Sequence, residues 1–191
     1  METSETNQAV IDLETGATHL HAPIFRIGVA ILHANSEESM NISAHDFGVN
    51  PASCEEFGAK YDEDTVVWWT EQDPVVIVAR DVNPRFHIKQ ALVLLNQLLE
   101  EHEVKITWGN SPSFDQSILL YYYKRIGLTP HEALTYRNQY DLRTIKELYP
   151  EVKAALKAAF SENHPQHIAI NDAIAEMKAI RFFYNNIYKG I

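Results

Sequence analysis

The run Gln8-Ala9-Val10-Ile11-Asp12-Leu13-Glu14-Thr15 is apolar enough for a buried strand, yet it carries two acids near its end. Side chains alternate along a strand, so Asp12 and Glu14 project from one face while Ile11 and Leu13 take the other. Residues 25–33, rich in Ile and Val, and residues 40–47, which alternate, read as two further strands of an antiparallel opening meander. Ile88, Ala91, Leu92, Leu95 and Leu99 then recur at helical spacing. Residues 104–108 are expected to form a short strand, and residues 113–126 a helix stopped by Gly127 with Pro130 beyond it. A helix over 141–149 ended by Pro150, and a long one over 168–187 preceded by His164-Pro165, complete the pattern. These elements predict an α/β domain with a mixed central sheet of about five strands, meander first and helical crossovers afterwards, flanked by helices.

A chain of 191 residues, 46% of them hydrophobic, suits one core, so residues 8–191 are read as a single domain behind a flexible polar stretch at 1–7. No apolar run approaches the ~20 residues of a membrane span, and no export signal is visible. The expectation is a cytoplasmic protein without a membrane partner. A single cysteine, Cys54, removes any internal disulfide framework or zinc ribbon. The formal net charge of -10, from 16 basic and 26 acidic residues, speaks at first against a nucleic-acid partner, because phosphate binding draws on Lys and Arg. The charge is uneven, however. Residues 1–123 hold 6 basic and 19 acidic residues, whereas residues 124–191 hold 10 and 7.

The informative acids lie where the pattern predicts core. In the helix beginning at Ser113, the stripe containing Asp115 continues through Ile118, Leu119, Tyr122 and Ile126, and Asp172 shares a helix face with Ile168, Ala175, Ala179 and Phe183. With Asp12 and Glu14, three elements aim four acids inward. Unpaired buried carboxylates are costly and repel one another. Arg26, on the neighbouring strand, is one cation against four acids. Divalent ions suit the deficit, since carboxylate oxygens and water are the ligands of Mg²⁺ or Mn²⁺, and two-metal carboxylate sites serve in-line phosphoryl displacement. His19, His21 and His33 do not outline the closed ligand set of a transition-metal site. Cys54 has no evident base partner in sequence, and Tyr121-Tyr122-Tyr123 reads mainly as core.

Three motifs stand in order: Ile11-Asp12-Leu13-Glu14-Thr15 with Arg26-Ile27-Gly28-Val29 after it, Trp108-Gly109-Asn110-Ser111-Pro112-Ser113-Phe114-Asp115, and His167-Ile168-Ala169-Ile170-Asn171-Asp172. The set resembles the DEDDh branch of the DnaQ-like 3′–5′ exonucleases, which have the ribonuclease H-like fold. Trp68-Trp69-Thr70-Glu71-Gln72, with Trp108-Gly109-Asn110, resembles the phage DexA and exodeoxyribonuclease VIII-type subgroup, which also includes a mycobacterial exoribonuclease.

The resemblance implies roles. Asp12, Glu14 and Asp172 would bind one of two divalent ions, Asp12 would bridge to the second, and Asp115 would act directly or through water. His167 would be the general base, a role suited to a group that titrates near neutrality. Thr15, Asn110, Trp68, Trp69 and Gln72 would contact substrate. Adjacent helical residues point about 100° apart, so at most one Trp of the pair is expected to stack on a nucleobase while the other packs in the core. The implied activity is release of nucleoside 5′-monophosphates from single-stranded 3′ ends in a bacterial or phage-infected cell, with DNA slightly favoured and RNA the alternative. The rivals are a ribonuclease H-like endonuclease and a non-catalytic nucleic-acid-binding module. Family members are often homodimers, and Phe182-Phe183-Tyr184 would suit either a partner surface or the core. Two divalent ions would bring the net charge of -10 to about −6. Lys124, Arg125, Arg137 and Arg143 are the expected contacts to the nucleic-acid backbone.

Overall fold

The computed structural model describes residues 6–34, 41–161 and 165–188, so most of the expected flexible N-terminus lies outside the described residues. Three long strands, β1 (Gln8–Thr15), β2 (Ile24–Leu32) and β3 (Ile42–Val49), form the antiparallel meander. Short helices α1 (Pro51–Glu55), α2 (Glu63–Thr70) and α3 (Pro74–Asp81) lead to the two-residue strand β4 (Arg85–Phe86). Then come α4 (Ile88–Glu101), β5 (Ile106–Gly109), α5 (Asp115–Ile126), β6 (Gln139–Asp141), α6 (Leu142–Leu148), α7 (Pro150–Ser161) and α8 (Ala169–Asn186). The six strands run in the order β4-β3-β2-β1-β5-β6, with β5 parallel to β1 and β6 parallel to β5. The sheet thus has the expected meander and crossovers plus two marginal strands too short to leave a periodic signal.

Strand alternation sorts the core into two layers. Ala9, Ile11 and Leu13 of β1 pack with Ile27, Val29 and Ile31 of β2 beneath α4 and α5. Val10 and Ala30 face the other way, beneath α7 and α8. Asp12 and Glu14 belong to this second face. Tyr122 and Tyr123 are fully buried, their hydroxyls donating to the carbonyls of Ala22 and Leu92. Phe182, Phe183 and Tyr184 pack in the layer under α8. Pro150 ends α6 as expected, Tyr149 before it being extended, and it also occupies the first position of α7, where its fixed φ and missing N–H cost nothing. Among the described residues no helix is long and apolar enough to cross a membrane.

One glycine sets how closely α8 approaches the sheet. Gly28 lies opposite Asp12 in the β1–β2 register, and a Cβ there would stand 2.2 Å from the Ala169 carbonyl oxygen and 2.6 Å from the Ile170 nitrogen. Only a bare backbone lets the N-terminus of α8 settle over β2 and β1, and that places Asp172, in the first turn of α8, above Asp12.

Candidate active site

Asp12 and Glu14 rise from β1, and Asp172 descends from α8 to meet them. One carboxylate oxygen from each lies within 4.8 Å of the others, the only such group of metal-capable donors among the described residues. Asp115 arrives around the end of the sheet from the start of α5, where its Oδ1 accepts the Leu13 N–H at 3.0 Å. The structure therefore brings together all four acids singled out from sequence, three in a tight cluster and the fourth beside it.

The cluster is electrostatically unfavourable as a bare protein site. Burial, then repulsion from Asp172 and Asp115, pushes the Glu14 carboxyl up to about 8. Burial raises Asp115 and Asp172 to about 7 each, against the opposing pull of the N–H groups they accept. Asp12 is raised well above the ordinary range by burial and by four neighbouring carboxylates. Buried Glu14 Oε1 and Asp172 Oδ1 have no hydrogen-bond partner. Orphaned oxygens, acids held part-protonated and an all-oxygen donor set fit a divalent cation such as Mg²⁺ or Mn²⁺.

Arg26 does not supply the balance. Its guanidinium is spent on Asp46, which accepts from Nε at 3.0 Å and also from Nη2, and on the Val82 carbonyl at 2.9 Å. The cation that lowers Glu14 is Arg80 of α3, which lies over both Phe25 and Trp69 at 4.9 Å and is paired with Asp81. No sequence pattern links Arg80 to β1. A fifth acid, Glu176, also went unread. It is only 3% exposed, one turn beyond Asp172 on α8, and burial with repulsion from Asp115 and Asp172 raises it strongly. Its signal was available: an acid four residues after Asp172 shares that inward face.

His167 immediately precedes the N-cap of α8 with φ of 63°, an uncommon conformation for a residue with a side chain. Its N–H donates to Asp172 Oδ2 at 3.0 Å, and its ring stands perpendicular to Trp68 at 4.8 Å. Partial burial lowers its pKa, favouring the neutral, proton-accepting imidazole.

A cleft of about 510 Å³ opens beside Glu14, lined by Thr15, Asp62, Trp68, Trp69 and Phe114 among others. Trp68 is 37% exposed and Trp69 only 4%. Trp69 donates from Nε1 to the Thr15 carbonyl at 2.8 Å and packs on Phe25, so Trp68 is the ring free to meet a ligand. The Thr15 hydroxyl is used inside the β1–β2 turn, donating to the Ala17 carbonyl. Gln72 lies outside the cleft lining, its amide donating to the Trp68 carbonyl. Asn110 sits on the α6 side, where its Oδ1 accepts from Lys146 at 2.7 Å, and its side chain lies near Glu176.

The histidines singled out together do not meet. His19 and His21 stack at 4.0 Å, while His33 lies near His102 at the far end of β2. Cys54 is buried, its thiol pushed up to about 11, and is inert as a nucleophile. Lys124 and Arg125 end α5 on the sheet face opposite α8, and Arg137 is engaged with Tyr136. Of the four expected backbone contacts only Arg143 is near the site, donating to the Asn110 carbonyl at 2.8 Å.

Residues 7–184 match the family model described as the 3′-5′ exoribonuclease Rv2179c-like domain. A comparison with curated proteins found no match. Among solved structures, the chain is similar to the zinc-bound E. coli exonuclease I–single-stranded DNA complex, with TM-score 0.66 and 15% identity over 96% of this chain and 41% of that one. It is also similar to cell-death related nuclease 4, with TM-score 0.63 and 11% identity over 94% and 64% of the two chains. A third is a full-length 3′-exonuclease, with TM-score 0.62 and 11% identity over 95% and 83%. The chain spans less than two thirds of the first two. At these identities the likeness is one of fold, that of the ribonuclease H-like exonucleases.

Proposed function

The chain belongs to the 3′-5′ exoribonuclease Rv2179c-like domain family, and from that premise we propose that it is a metal-dependent 3′–5′ exonuclease acting on single-stranded RNA ends. The observation that carries the reading is the Asp12, Glu14 and Asp172 cluster, with His167 tethered to Asp172 and facing Trp68. The family description moves the preference from DNA to RNA, with DNA as the second substrate. The Trp68-Trp69-Thr70-Glu71-Gln72 segment is our reason for grouping the chain with the DexA-type enzymes.

Asp12, Glu14 and Asp172 would hold a first divalent ion, and Asp12 with Asp115 a second. Bound ions would supply positive charge that eases formation of the hydrolytic nucleophile and departure of the 3′-oxygen. The protein's own groups do the rest. Trp68 and Phe114 offer aromatic faces for the terminal base. Neutral His167 accepts a proton from the attacking water, and its position depends on the bond from its backbone to Asp172. The Leu13 N–H holds Asp115 in place. One nucleoside 5′-monophosphate leaves per cycle.

The test uses 5′-labelled single-stranded RNA and DNA with Mg²⁺ or Mn²⁺. A ladder shortening from the 3′ end, with mononucleotide product, is expected, and Asp12→Asn and Asp172→Asn should abolish it. Undiminished activity in either purified variant, or cutting of a circular strand, would refute the assignment. His167→Ala should lose turnover while still binding Mn²⁺. Loss of Mn²⁺ binding would make His167 a ligand rather than a base.

A further inference from the structure

A second concavity of about 500 Å³ lies beyond the catalytic cluster, on the same side of the sheet as α8. Lys146, Lys153 and Lys157 line it over an apolar floor that includes Leu156 and Phe160, and Gln166, the residue before His167, forms part of its rim. Among the described lining residues none is a carboxylate. Lys153 and Lys157 are exposed and sit one helical turn apart on α7, their Cβ atoms ~5–6 Å from each other. Lys153 touches Glu147 at 3.3 Å, a surface pair between well-exposed groups and therefore weak. Lys146 bonds Asn110 at 2.7 Å, and Arg143 donates to the carbonyl of the same residue, so the groove adjoins the segment that follows β5 and leads to Asp115. In a chain of net charge -10, three lysines line one groove whose lining also includes Gln166, the neighbour of His167 in sequence.

We propose that this groove, formed by α7, Lys146 of α6 and Gln166, holds the single-stranded stretch upstream of the scissile phosphate. The lysines would contact successive phosphates and the apolar floor would receive riboses or bases, the usual combination for sequence-tolerant single-strand binding. The proposal rests on the exonuclease reading for its choice of ligand. It makes substrate length, not base identity, the property that α7 recognises. It also replaces the expected track through Lys124 and Arg125, which lies on the opposite face of the sheet.

The test compares the intact wild-type chain with the Lys153→Gln, Lys157→Gln double variant, with Lys124→Gln as a control on the other face. Binding of a 5′-fluorescein single-stranded RNA of about twenty nucleotides is followed by anisotropy in an Asp12→Asn background, so that no cleavage intrudes. Losing two phosphate contacts should make the slope of log K against log salt shallower by about 1.4. Between about 50 and 200 mM salt the unsubstituted groove should therefore lose roughly sevenfold more affinity than the double variant. In the active background, the ratio of kcat/KM on the long RNA to that on a dinucleotide should fall roughly tenfold, while Lys124→Gln leaves that ratio unchanged. An unchanged salt slope, an equal loss on both substrates, or an effect of Lys124→Gln as large as that of the double variant would overturn the groove. Failure of the wild type to degrade any strand would overturn the exonuclease reading instead, and the anisotropy slopes would still judge the groove.

Discussion

Gly28→Ala separates the geometry of the site from the stability of the fold. A methyl group at this position would meet three backbone atoms of α8, the nearest at 2.2 Å, where ordinary contact begins at 3.4 Å. Backbone cannot rotate away as a side chain can, so α8 must retreat by about 1.2 Å or β2 must bend. Overpacking of this kind costs ~1–3 kcal/mol. The same displacement lifts Asp172 from Asp12 and Glu14 and carries His167 with it, and ~1 Å of misplacement costs roughly 10²-fold in rate. We expect a folded variant by circular dichroism, a modestly lower Tm, and a kcat/KM reduced about a hundredfold. Gly127→Ala is the matched control. Its φ of 76° makes alanine unfavourable by ~1–2 kcal/mol, but nothing lies within 4 Å of the new methyl group and the site is untouched. Wild-type turnover in Gly28→Ala, or an equal loss in both variants, would refute the claim that this glycine sets the distance between α8 and the acids.

Other outcomes follow from the same contacts. Glu14, Asp115 and Asp172 titrate higher in the folded chain than in the unfolded one, so the metal-free native state binds more protons. Its stability should fall as pH rises from the usual carboxylate range near 4 to about 8. Thermal melts should show this decline, and Mn²⁺ should raise Tm more at the alkaline end of that window than at the acid end. Trp68→Ala should raise KM about tenfold, from loss of ~1–3 kcal/mol of base stacking, with little change in Tm. Trp69→Ala should instead destabilise by ~3–5 kcal/mol, because it removes a buried indole and its bond to Thr15. Glu176→Gln should change stability by less than about 1 kcal/mol, since burial and neighbouring carboxylates favour the neutral acid and the amide is isosteric; a loss of several kcal/mol on chemical denaturation would show that the charged form is the one the fold uses.

Much of the fold was legible because its long elements carry strong periodicity. β1 emerged at its full extent, Gln8–Thr15, and α4, α5 and α8 lay within two residues of the spans read from sequence. The helices α1 to α3 are only five to eight residues long, too short for a period to repeat, and β4 and β6 are two and three residues long, so the existence of these two strands depends on the neighbour that pairs with them. Pro150 ends α6 as read, but it also begins α7, which was not expected, because a proline ends one helix and begins another by the same missing N–H.

The sequence by itself determined that Asp12, Glu14, Asp115 and Asp172 turn inward, since they break apolar patterns whose period states which way each side chain points. It also carried the order of the motifs. Only the tertiary structure decided what surrounds them. Arg26, the nearby cation by sequence, lies opposite Glu14 but its guanidinium is taken by Asp46, while the charge of Arg80 reaches Glu14 from a helix whose placement no local signal encodes. Trp68 and Trp69 are equivalent as letters, and only the packing of α2 against Phe25 and Thr15 buries one and leaves the other at the cleft. Periodicity is a property of one element and survives in sequence, whereas charge balance and exposure belong to several elements at once and exist only when they meet.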